Sequence, residues 1–278
     1  MQENIDRLGE WARKWKMSFN AAKCKVIHYG RRNAKHEYWM NGLLIASDTE
    51  EKDLGVWVED SMKPTKQCLM AAKSANWALG QLSRTFHYRK AECLVTLYKT
   101  FVRPKLEHAV AAWSPWAVGD REVLENVQKR MVRLISNKRG ETYEERLENI
   151  GLTTLTERRE RGDMIEVFKT LKGFNRVDKR DCFLMEESGE TRATRASVTI
   201  TDGRVERNEC KIYKPPARCE IRNNFFTVRV VRPWNDLPET LKSQKTINGF
   251  KTAYDKWAKT KSIEGRRAIQ RNEQMMPQ

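Results

Sequence analysis

The chain has 278 residues, of which 39% are hydrophobic and 9% aromatic, and this apolar content excludes a wholly disordered protein. Its 53 lysines and arginines outnumber 37 acidic residues and leave a net charge of +16, which favours polyanionic partners such as nucleic acid. No stretch approaches the roughly 20 apolar residues of a membrane span, so we expect an intracellular protein, cytoplasmic or nuclear, with no membrane partner.

The excess of positive charge is spread unevenly along the chain. Residues 1–60 are neutral overall, residues 61–180 carry 24 basic against 14 acidic side chains, and residues 181–278 carry 19 against 13. Contacts with phosphates release counterions, so the basic middle section predicts nucleic-acid binding. The alternative is that these charges only keep helix faces solvated.

The cysteines do not form a recognisable metal-binding pattern. None of the six stands in a Cys-x-x-Cys pair, and no histidine lies near the last three to complete a zinc site. We therefore expect reduced, buried thiols at all six positions, which are Cys24, Cys68, Cys93, Cys182, Cys210 and Cys219.

The first 60 residues predict one helix followed by short strands. Apolar residues recur every three or four positions from Ile5 to Phe19, which is the stripe of an amphipathic helix. Asn41-Gly42 is a signal for a hairpin turn. Short apolar segments predict the strands of a small antiparallel sheet, at residues 25–29, 37–40, 43–45 and 53–58, with the Asn41-Gly42 turn between the second and the third.

Two positions in this region are candidate contacts. Lys23 lies where the helix passes into the first strand, and a cationic side chain at such a joint can reach a phosphate. Gly55, after Leu54, lies inside a strand pattern, which predicts a bulge or a close approach by another chain. The alternatives are a solvated turn lysine and an ordinary distortion of a hairpin.

Beyond Pro64 the apolar period becomes that of helices. In one of them, apolar residues share a face while Lys129, Arg130 and Arg133 fall mainly on others, so one face can pack and another can meet phosphate. Together with Arg103 these are the phosphate-facing candidates, unless the face is basic only for solubility. The predicted helices, the second of which should kink at Pro104, span residues 64–85, 90–115, 120–136, 142–149 and 154–173.

The last hundred residues predict less regular structure. Residues 175–222 are polar, basic and interrupted by glycine and proline, so we expect a partly ordered linker there. Short helices are predicted at 223–235 and 246–259, and the tail from Ser262 should fray. The predicted fold class is α+β and predominantly α-helical, with a small antiparallel sheet at the amino terminus, a helical bundle and a partly irregular carboxy-terminal region.

Catalytic signatures are missing from the sequence. It has no G-x-x-x-x-G-K-[ST] loop, no G-x-S-x-G elbow and no H-E-x-x-H motif. It also has no Asp-Asp dipeptide, although two-metal phosphoryl transfer needs clustered carboxylates. We therefore expect no self-contained metal site and no retained cofactor.

Ten ordered segments of the chain together resemble reverse transcriptases of non-LTR (LINE-type) retrotransposons, in particular the jockey-like and chicken-repeat-like groups. The resemblance runs from about residue 2 to residue 258. No single segment is specific, but their order and spacing are. The segments are Ile5–Ala12, Trp15–Lys25, Glu51–Val56, Leu97–Pro104, Trp113–Pro115, Val127–Arg130, Tyr143–Leu147, Gly151–Leu152, Gly162–Lys169 and Phe225–Pro238.

The resemblance implies a role for several residues and a division of the chain. Lys23 matches the family's lysine near the incoming nucleotide, and Leu54 and Gly55 match the Leu-Gly pair of its primer grip. The implied partner is RNA or an RNA–DNA hybrid, held through its phosphate backbone. The resemblance implies that residues 1–60 are the end of the palm with the primer-grip hairpin, that residues 61–140 are a helical thumb, and that the remainder is the family's carboxy-terminal extension. The sequence pattern divides this extension into a helical extension, a partly ordered basic linker, a carboxy-terminal helical segment and a frayed tail, at residues 141–174, 175–222, 223–260 and 261–278.

The chain departs from the family pattern at its catalytic centre. The family's Phe/Tyr-x-Asp-Asp hairpin precedes the helix with which this sequence opens, and neither that motif nor the family's endonuclease is present. The resemblance therefore implies a carboxy-terminal fragment of an RNA-directed DNA polymerase that holds template–primer but is inactive alone, with Mg²⁺ expected only in an intact family member. The alternative is a host-recruited or decayed basic module that binds RNA, DNA or another protein.

Overall fold

The computed structural model describes residues 1–30, 32–86, 90–135, 140–185, 198–201, 204–207 and 211–274, with the backbone alone described at 198–201, 204–207 and 262–274. These residues form two compact units, Met1–Leu155 and Thr156–Gln278. The boundary between the units falls inside residues 141–174, which were expected to be one helical extension.

The first unit opens with helix α1 (Gln2–Lys14) and a one-turn 3-10 helix, Ala21–Lys23. Six short strands follow: β1 (Lys25–Ile27), β2 (Trp39–Met40), β3 (Leu43–Leu44), β4 (Ala46–Asp48), β5 (Glu50–Asp53) and β6 (Val56–Glu59). The expected antiparallel sheet is wrong for β1, which pairs with β4 in parallel, whereas β2–β3 and β5–β6 are antiparallel hairpins. Because a loop and a complete hairpin separate β1 from β4, the chain has the long connection that parallel strands need.

The apolar stripe of α1 is only partly covered. Ala12 is buried, and Ile5 packs against a small core formed by Ala21, Met40 and Ile45. Leu8 and Trp11 in the helix and Trp15 directly after it are about half exposed or more. Helix α1 therefore keeps an apolar surface that the described part of the first unit does not bury.

The rest of the first unit is helical, with α2 (Thr65–Thr85), α3 (Ala91–Leu97), α4 (Arg103–Glu107), α5 (Val110–Trp113), α6 (Val118–Ile135) and α7 (Tyr143–Asn149). Helix α2 packs against α6 through a face of alanines that includes Ala71, Ala75 and Ala78. Because such small side chains let two helix axes approach closely, this pair forms the centre of the larger core.

The helix expected over residues 90–115 is divided. A π-helical turn at Tyr98–Val102 joins α3 to α4, and the chain breaks again after α4, where Ala109 has a φ of 50°. Pro104 lies in the first turn of α4, where a missing N–H leaves no hydrogen bond unmade. A π-helical turn thus lies directly before this proline, and both features are places where helices bend, so the kink expected at Pro104 stays a prediction.

The second unit contains α8 (Leu155–Leu171, beginning at the boundary), α9 (Lys179–Cys182), a hairpin of β7 (Val198–Thr201) with β8 (Arg204–Arg207), and five further helices. Those helices are α10 (Glu220–Asn224), α11 (Phe226–Arg229), α12 (Val231–Asn235), α13 (Glu239–Lys242) and α14 (Ile247–Gln274). The single helix expected at 223–235 is therefore three short ones. The tail expected to fray from Ser262 continues α14 up to Gln274.

The core of the second unit is aromatic and contains a buried ion pair. The rings of Phe168 and Phe250 stack with centroids 4.4 Å apart, beside the fully buried Trp234. Arg229 donates two hydrogen bonds, of 2.9 and 3.0 Å, to the buried carboxylate of Asp163. Burial raises the pKa of Asp163, and the hydrogen bond and charge of Arg229 only partly offset that rise.

The expectation of buried thiols is met at one cysteine only. Cys68 is buried, Cys24, Cys93 and Cys182 are half-buried and Cys219 is exposed, while Cys210 lies outside the described residues. Within the described ranges, no helix is both long and apolar enough to cross a membrane.

Candidate nucleic-acid interface

The hairpin of β5 and β6 turns at Leu54 and Gly55. Asp53 pairs with Val56 across the hairpin, so the loop has two residues, and both have positive φ values, 45° at Leu54 and 90° at Gly55. A type I′ turn requires this combination. The expectation of a bulge inside a strand is therefore wrong, because these two residues are the turn itself.

Leucine is an unfavourable first residue for such a turn. The left-handed conformation costs an L-residue with a bulky side chain roughly 1–2 kcal/mol, and asparagine or glycine is preferred there. The same unit shows the preferred solution, because the β2–β3 hairpin turns through Asn41 and Gly42 at φ values of 52° and 76°. Leu54 gains nothing from burial, since it is 90% exposed. Strained backbone conformations cluster at functional sites, so Leu54 is a candidate contact, although Met62, with a φ of 56° and an exposed side chain, shares both features.

His108 braces this turn from the helical part of the unit. Its Nε2 lies 3.3 Å from the carbonyl oxygen of Leu54, within hydrogen-bonding distance. A Cβ added to Gly55 would come within 3.2 Å of the same nitrogen and would push the His108 ring back by a few tenths of an ångström, and the φ of 90° itself favours glycine. His108 is itself fixed, because its N–H donates to the Pro104 carbonyl and its own carbonyl accepts from the Trp113 indole.

Three of the predicted cations lie on the solvent side of α6. Arg130 and Arg133 are exposed, and Lys129 is half-buried with its Nζ 5.4 Å from the centroid of the Tyr143 ring. Residues three or four positions apart are neighbours on a helix surface, so Arg133 is adjacent to both of the others. The structure thus brings these three candidates together, as the helical period predicts.

A buried hydrogen-bond network fixes this part of α6. The Gln128 side chain accepts from the Tyr98 hydroxyl at 2.8 Å and donates to the Tyr143 hydroxyl and the Thr153 carbonyl, each at 3.0 Å. Tyr143 in turn donates to Glu125. Burial, and next the hydrogen bond to Glu125, raise the pKa of Tyr143 far above its ordinary value. The ring beside Lys129 is therefore a neutral phenol in a fixed position.

The two other predicted cations, Lys23 and Arg103, differ in how accessible their charged groups are. Lys23 ends the 3-10 turn and is exposed, so its ammonium group is accessible. Arg103 is mostly covered, and its Nε lies 3.8 Å from a carboxylate oxygen of Glu107, one helical turn further along α4. The structure therefore places Arg103 in an ion pair, which makes it a weaker phosphate contact than the α6 cations.

Helix α2 presents a further basic and aromatic face that the sequence reasoning did not single out. Lys73 and Arg84 are exposed, and Trp77 is 65% exposed between them. All three lie on the side of α2 opposite its buried alanines. A signal was available, because Trp77 is out of phase with the apolar residues of its own helix. For His108 there was no such signal, since its contact with Leu54 spans 54 residues of sequence.

The described residues contain no group of three or more His, Cys, Asp or Glu side chains that could hold a metal ion. The candidate residues of the first unit are thus an apolar turn, cationic helix faces and exposed aromatic rings, and none of these groups supplies a ligand set for Mg²⁺. Groups of these kinds are the ones that proteins use to contact nucleic acid, because cations contact phosphates while apolar and aromatic groups contact sugars and bases.

Comparison with known proteins agrees with this chemistry. Over 146 residues the chain is 29% identical to the RNA-directed DNA polymerase from mobile element jockey of Drosophila funebris, and the alignment covers 49% of the chain and 15% of that protein. No family model matches the chain, and no solved structure matches it. The chain therefore spans a small part of its curated relative, and over about half of its own length it is related to a retrotransposon reverse transcriptase.

Proposed function

We propose that the chain is a carboxy-terminal portion of a non-LTR retrotransposon RNA-directed DNA polymerase that holds template–primer nucleic acid. The observation that carries the proposal is the β5–β6 turn, where a strained leucine is exposed and braced by His108. The similarity to the jockey polymerase supplies the class of protein. The implied ligand is RNA or an RNA–DNA hybrid.

The proposed contacts are of two kinds. Lys23, Lys129, Arg130 and Arg133 bind phosphates, which sets the position of the nucleic acid without reading its sequence. Leu54 rests against the sugar surface of the wide, shallow minor groove, where an apolar side chain is desolvated on both sides. Residues 61–140 would then act as the thumb and the β5–β6 hairpin as the primer grip.

The proposed fragment holds nucleic acid but does not extend a primer alone. Two-metal phosphoryl transfer requires paired carboxylates, and the sequence has no Asp-Asp dipeptide. A primer-extension assay on this chain, with Mg²⁺ and a primed RNA template, tests this part of the proposal. Template-dependent synthesis would refute it.

Binding itself is tested with a fluorescein-labelled RNA–DNA hybrid and the full chain, by anisotropy at several salt concentrations between about 50 and 200 mM. Each lost phosphate contact lowers the slope of log affinity against log salt by about one. The charge reversal Lys129→Glu with Arg130→Glu should therefore lower that slope by about two, and to the same extent for hybrids of different sequence. Unchanged affinity would remove both residues from the interface.

The chain contains a matched control for this charge reversal. Lys179 and Arg180 have the same sequence as Lys129 and Arg130, both are exposed, and they lie in the second unit. Their reversal to glutamate changes the net charge by the same amount. It should leave the salt dependence of hybrid binding close to that of the parent, because long-range repulsion between exposed charges is largely screened at these salt concentrations.

One observation favours a second candidate function, a host-recruited or decayed module that binds another protein. Trp11 in α1 and Trp15 just after it are exposed, and tryptophan is enriched at protein interfaces. On this alternative the basic residues serve solubility. Hybrid binding that is absent, or insensitive to salt between about 50 and 200 mM, would favour it over the polymerase fragment.

A further inference from the structure

Part of the segment expected to be a partly ordered linker is fixed on the core of the second unit. The side chain of Asn235 pairs with the backbone of Ile212 in both directions, donating to its carbonyl at 2.8 Å and accepting from its N–H at 3.1 Å. The N–H of Tyr213 donates to the Leu184 carbonyl at 2.8 Å, and Ile212 itself is buried. The chain at residues 212–213 is therefore held in one extended conformation.

This attachment turns Tyr213 outward. Successive side chains of an extended chain point to opposite sides, so with Ile212 buried the ring of Tyr213 faces solvent and is 47% exposed. Pro215 and Pro216 keep the following backbone extended. The Asn223 side chain, in α10, donates to the Ala217 carbonyl, which ties this helix to the residues just before it.

A second exposed ring ends the same segment. Phe225 is 52% exposed, and the guanidinium carbon of Arg222 lies 5.5 Å from the centroid of its ring. The next residue, Phe226, packs its ring 6.3 Å from that of Phe183, the core residue that precedes Leu184. Tyr213 and Phe225 are thus both anchored, through Leu184 and Phe183, on one part of the second core.

This segment is mostly basic. Residues 211–225 contain one acidic side chain, Glu220, against four basic ones, at Lys211, Lys214, Arg218 and Arg222. Arg218 and Arg222 are exposed. The segment thus combines two accessible rings, which can stack with other aromatic rings, and four cations, which can contact phosphates.

We propose that this surface, defined by residues 211–225, binds single-stranded nucleic acid independently of the interface on the first unit. Unpaired bases stack on aromatic side chains while arginines and lysines follow the backbone, and this mode tolerates any sequence. A duplex is not the ligand, because its bases already stack on each other and present no free face to Tyr213 or Phe225.

The test uses the full chain and fluorescein-labelled 12-nucleotide oligo(U) and oligo(dT). Tyr213→Leu with Phe225→Leu keeps the apolar bulk and removes the stacking surface, so affinity for both oligonucleotides should fall about tenfold or more. Tyr213→Phe with Phe225→Tyr exchanges the rings and should bind like the parent. Preference of the parent for oligo(U) assigns RNA as the ligand, and equal affinity assigns any single strand.

Two controls separate this proposal from the function of the first unit. The leucine variant should bind the RNA–DNA hybrid as the parent does, whereas Lys129→Glu with Arg130→Glu should weaken hybrid binding. In that charge-reversed background the leucine pair should still lower oligo(U) affinity by the same factor as it does in the parent. Equal oligo(U) affinity of the leucine variant and the parent overturns the proposal, as does equal loss in the ring-exchanged variant or equal competition by polyglutamate. If Tyr213→Leu with Phe225→Leu lowers the Tm of the second unit, Arg222→Gln is measured instead. It should reduce the slope of log affinity for oligo(U) against log salt by about one.

Discussion

Replacing Leu54 by asparagine should make the protein more stable and weaken its binding to nucleic acid. The turn needs positive φ at residue 54, which costs leucine about 1–2 kcal/mol more than a residue suited to that conformation. The side chain is 90% exposed, so removing it loses only about a tenth of the 1.5–3 kcal/mol that full burial of a leucine provides. The net gain in the free energy of unfolding is therefore about 1 kcal/mol.

This gain is measurable by thermal and urea unfolding of the first unit. For a unit of this size, 1 kcal/mol raises Tm by about 2–4 °C. If Leu54 becomes buried against a nucleic acid, the same substitution should lower affinity for the RNA–DNA hybrid by about tenfold or more, because the transfer energy of the side chain is lost from the complex.

The matched control is Leu43→Asn at the other hairpin. Leu43 is also an exposed leucine beside a turn, but it lies in β3, outside the positive-φ positions. Its replacement should bring no gain in stability and no loss of affinity. If Leu54→Asn does not stabilise the unit, the strain argument is wrong. If it stabilises the unit and binding is unchanged, Leu54 is not a contact.

The remaining predictions concern the hydrogen-bonded core and two carboxyl groups with opposite pH behaviour. Tyr143→Phe removes the hydroxyl that donates to Glu125 and should lower the free energy of unfolding, measured in urea, by about 1–3 kcal/mol. A smaller loss would mean that a water molecule takes the place of the hydroxyl. The backbone N–H and side chain of Thr142 lower the pKa of Glu145, so the parent should gain stability over Glu145→Gln above about pH 4.5 and lose that gain as pH falls through the lowered pKa. Burial raises the pKa of Asp163. The free energy of unfolding of the parent, relative to that of Asp163→Asn, should therefore be greatest below about pH 4 and fall as pH rises through the raised pKa. Unfolding titrations at several pH values check both signs, and a difference that does not vary with pH contradicts the assignment concerned.

Helices with a strong apolar period could be placed from the sequence to within two residues at each end. The helices expected at 64–85 and 120–136 are found at Thr65–Thr85 and Val118–Ile135. The period also placed the α6 cations on the solvent side, because it depends only on neighbours along one helix. The ion pair of Arg103 with Glu107 was equally visible in principle, as a spacing of four residues.

Strand pairing and turn position were less accessible to the sequence. The sequence does not indicate a turn at Leu54, because leucine is an apolar residue that is common in strands, whereas Asn41-Gly42 is a recognised hairpin signal. The parallel pairing of β1 with β4 depends on packing between segments separated by a hairpin, which no local pattern records. The brace from His108 is likewise a tertiary contact, and only the folded chain brings it to residue 54.

The strain at Leu54 also has a genetic consequence. A related copy of this sequence that no longer contacts nucleic acid gains about 1 kcal/mol from asparagine or glycine at this position and loses nothing. Each requires few base changes, and neither disturbs the glycine or the histidine that complete the turn. In copies whose fold stays under selection after the contact is lost, stability should favour asparagine or glycine at residue 54, whereas copies that keep the contact should keep leucine, so that one codon distinguishes the two histories.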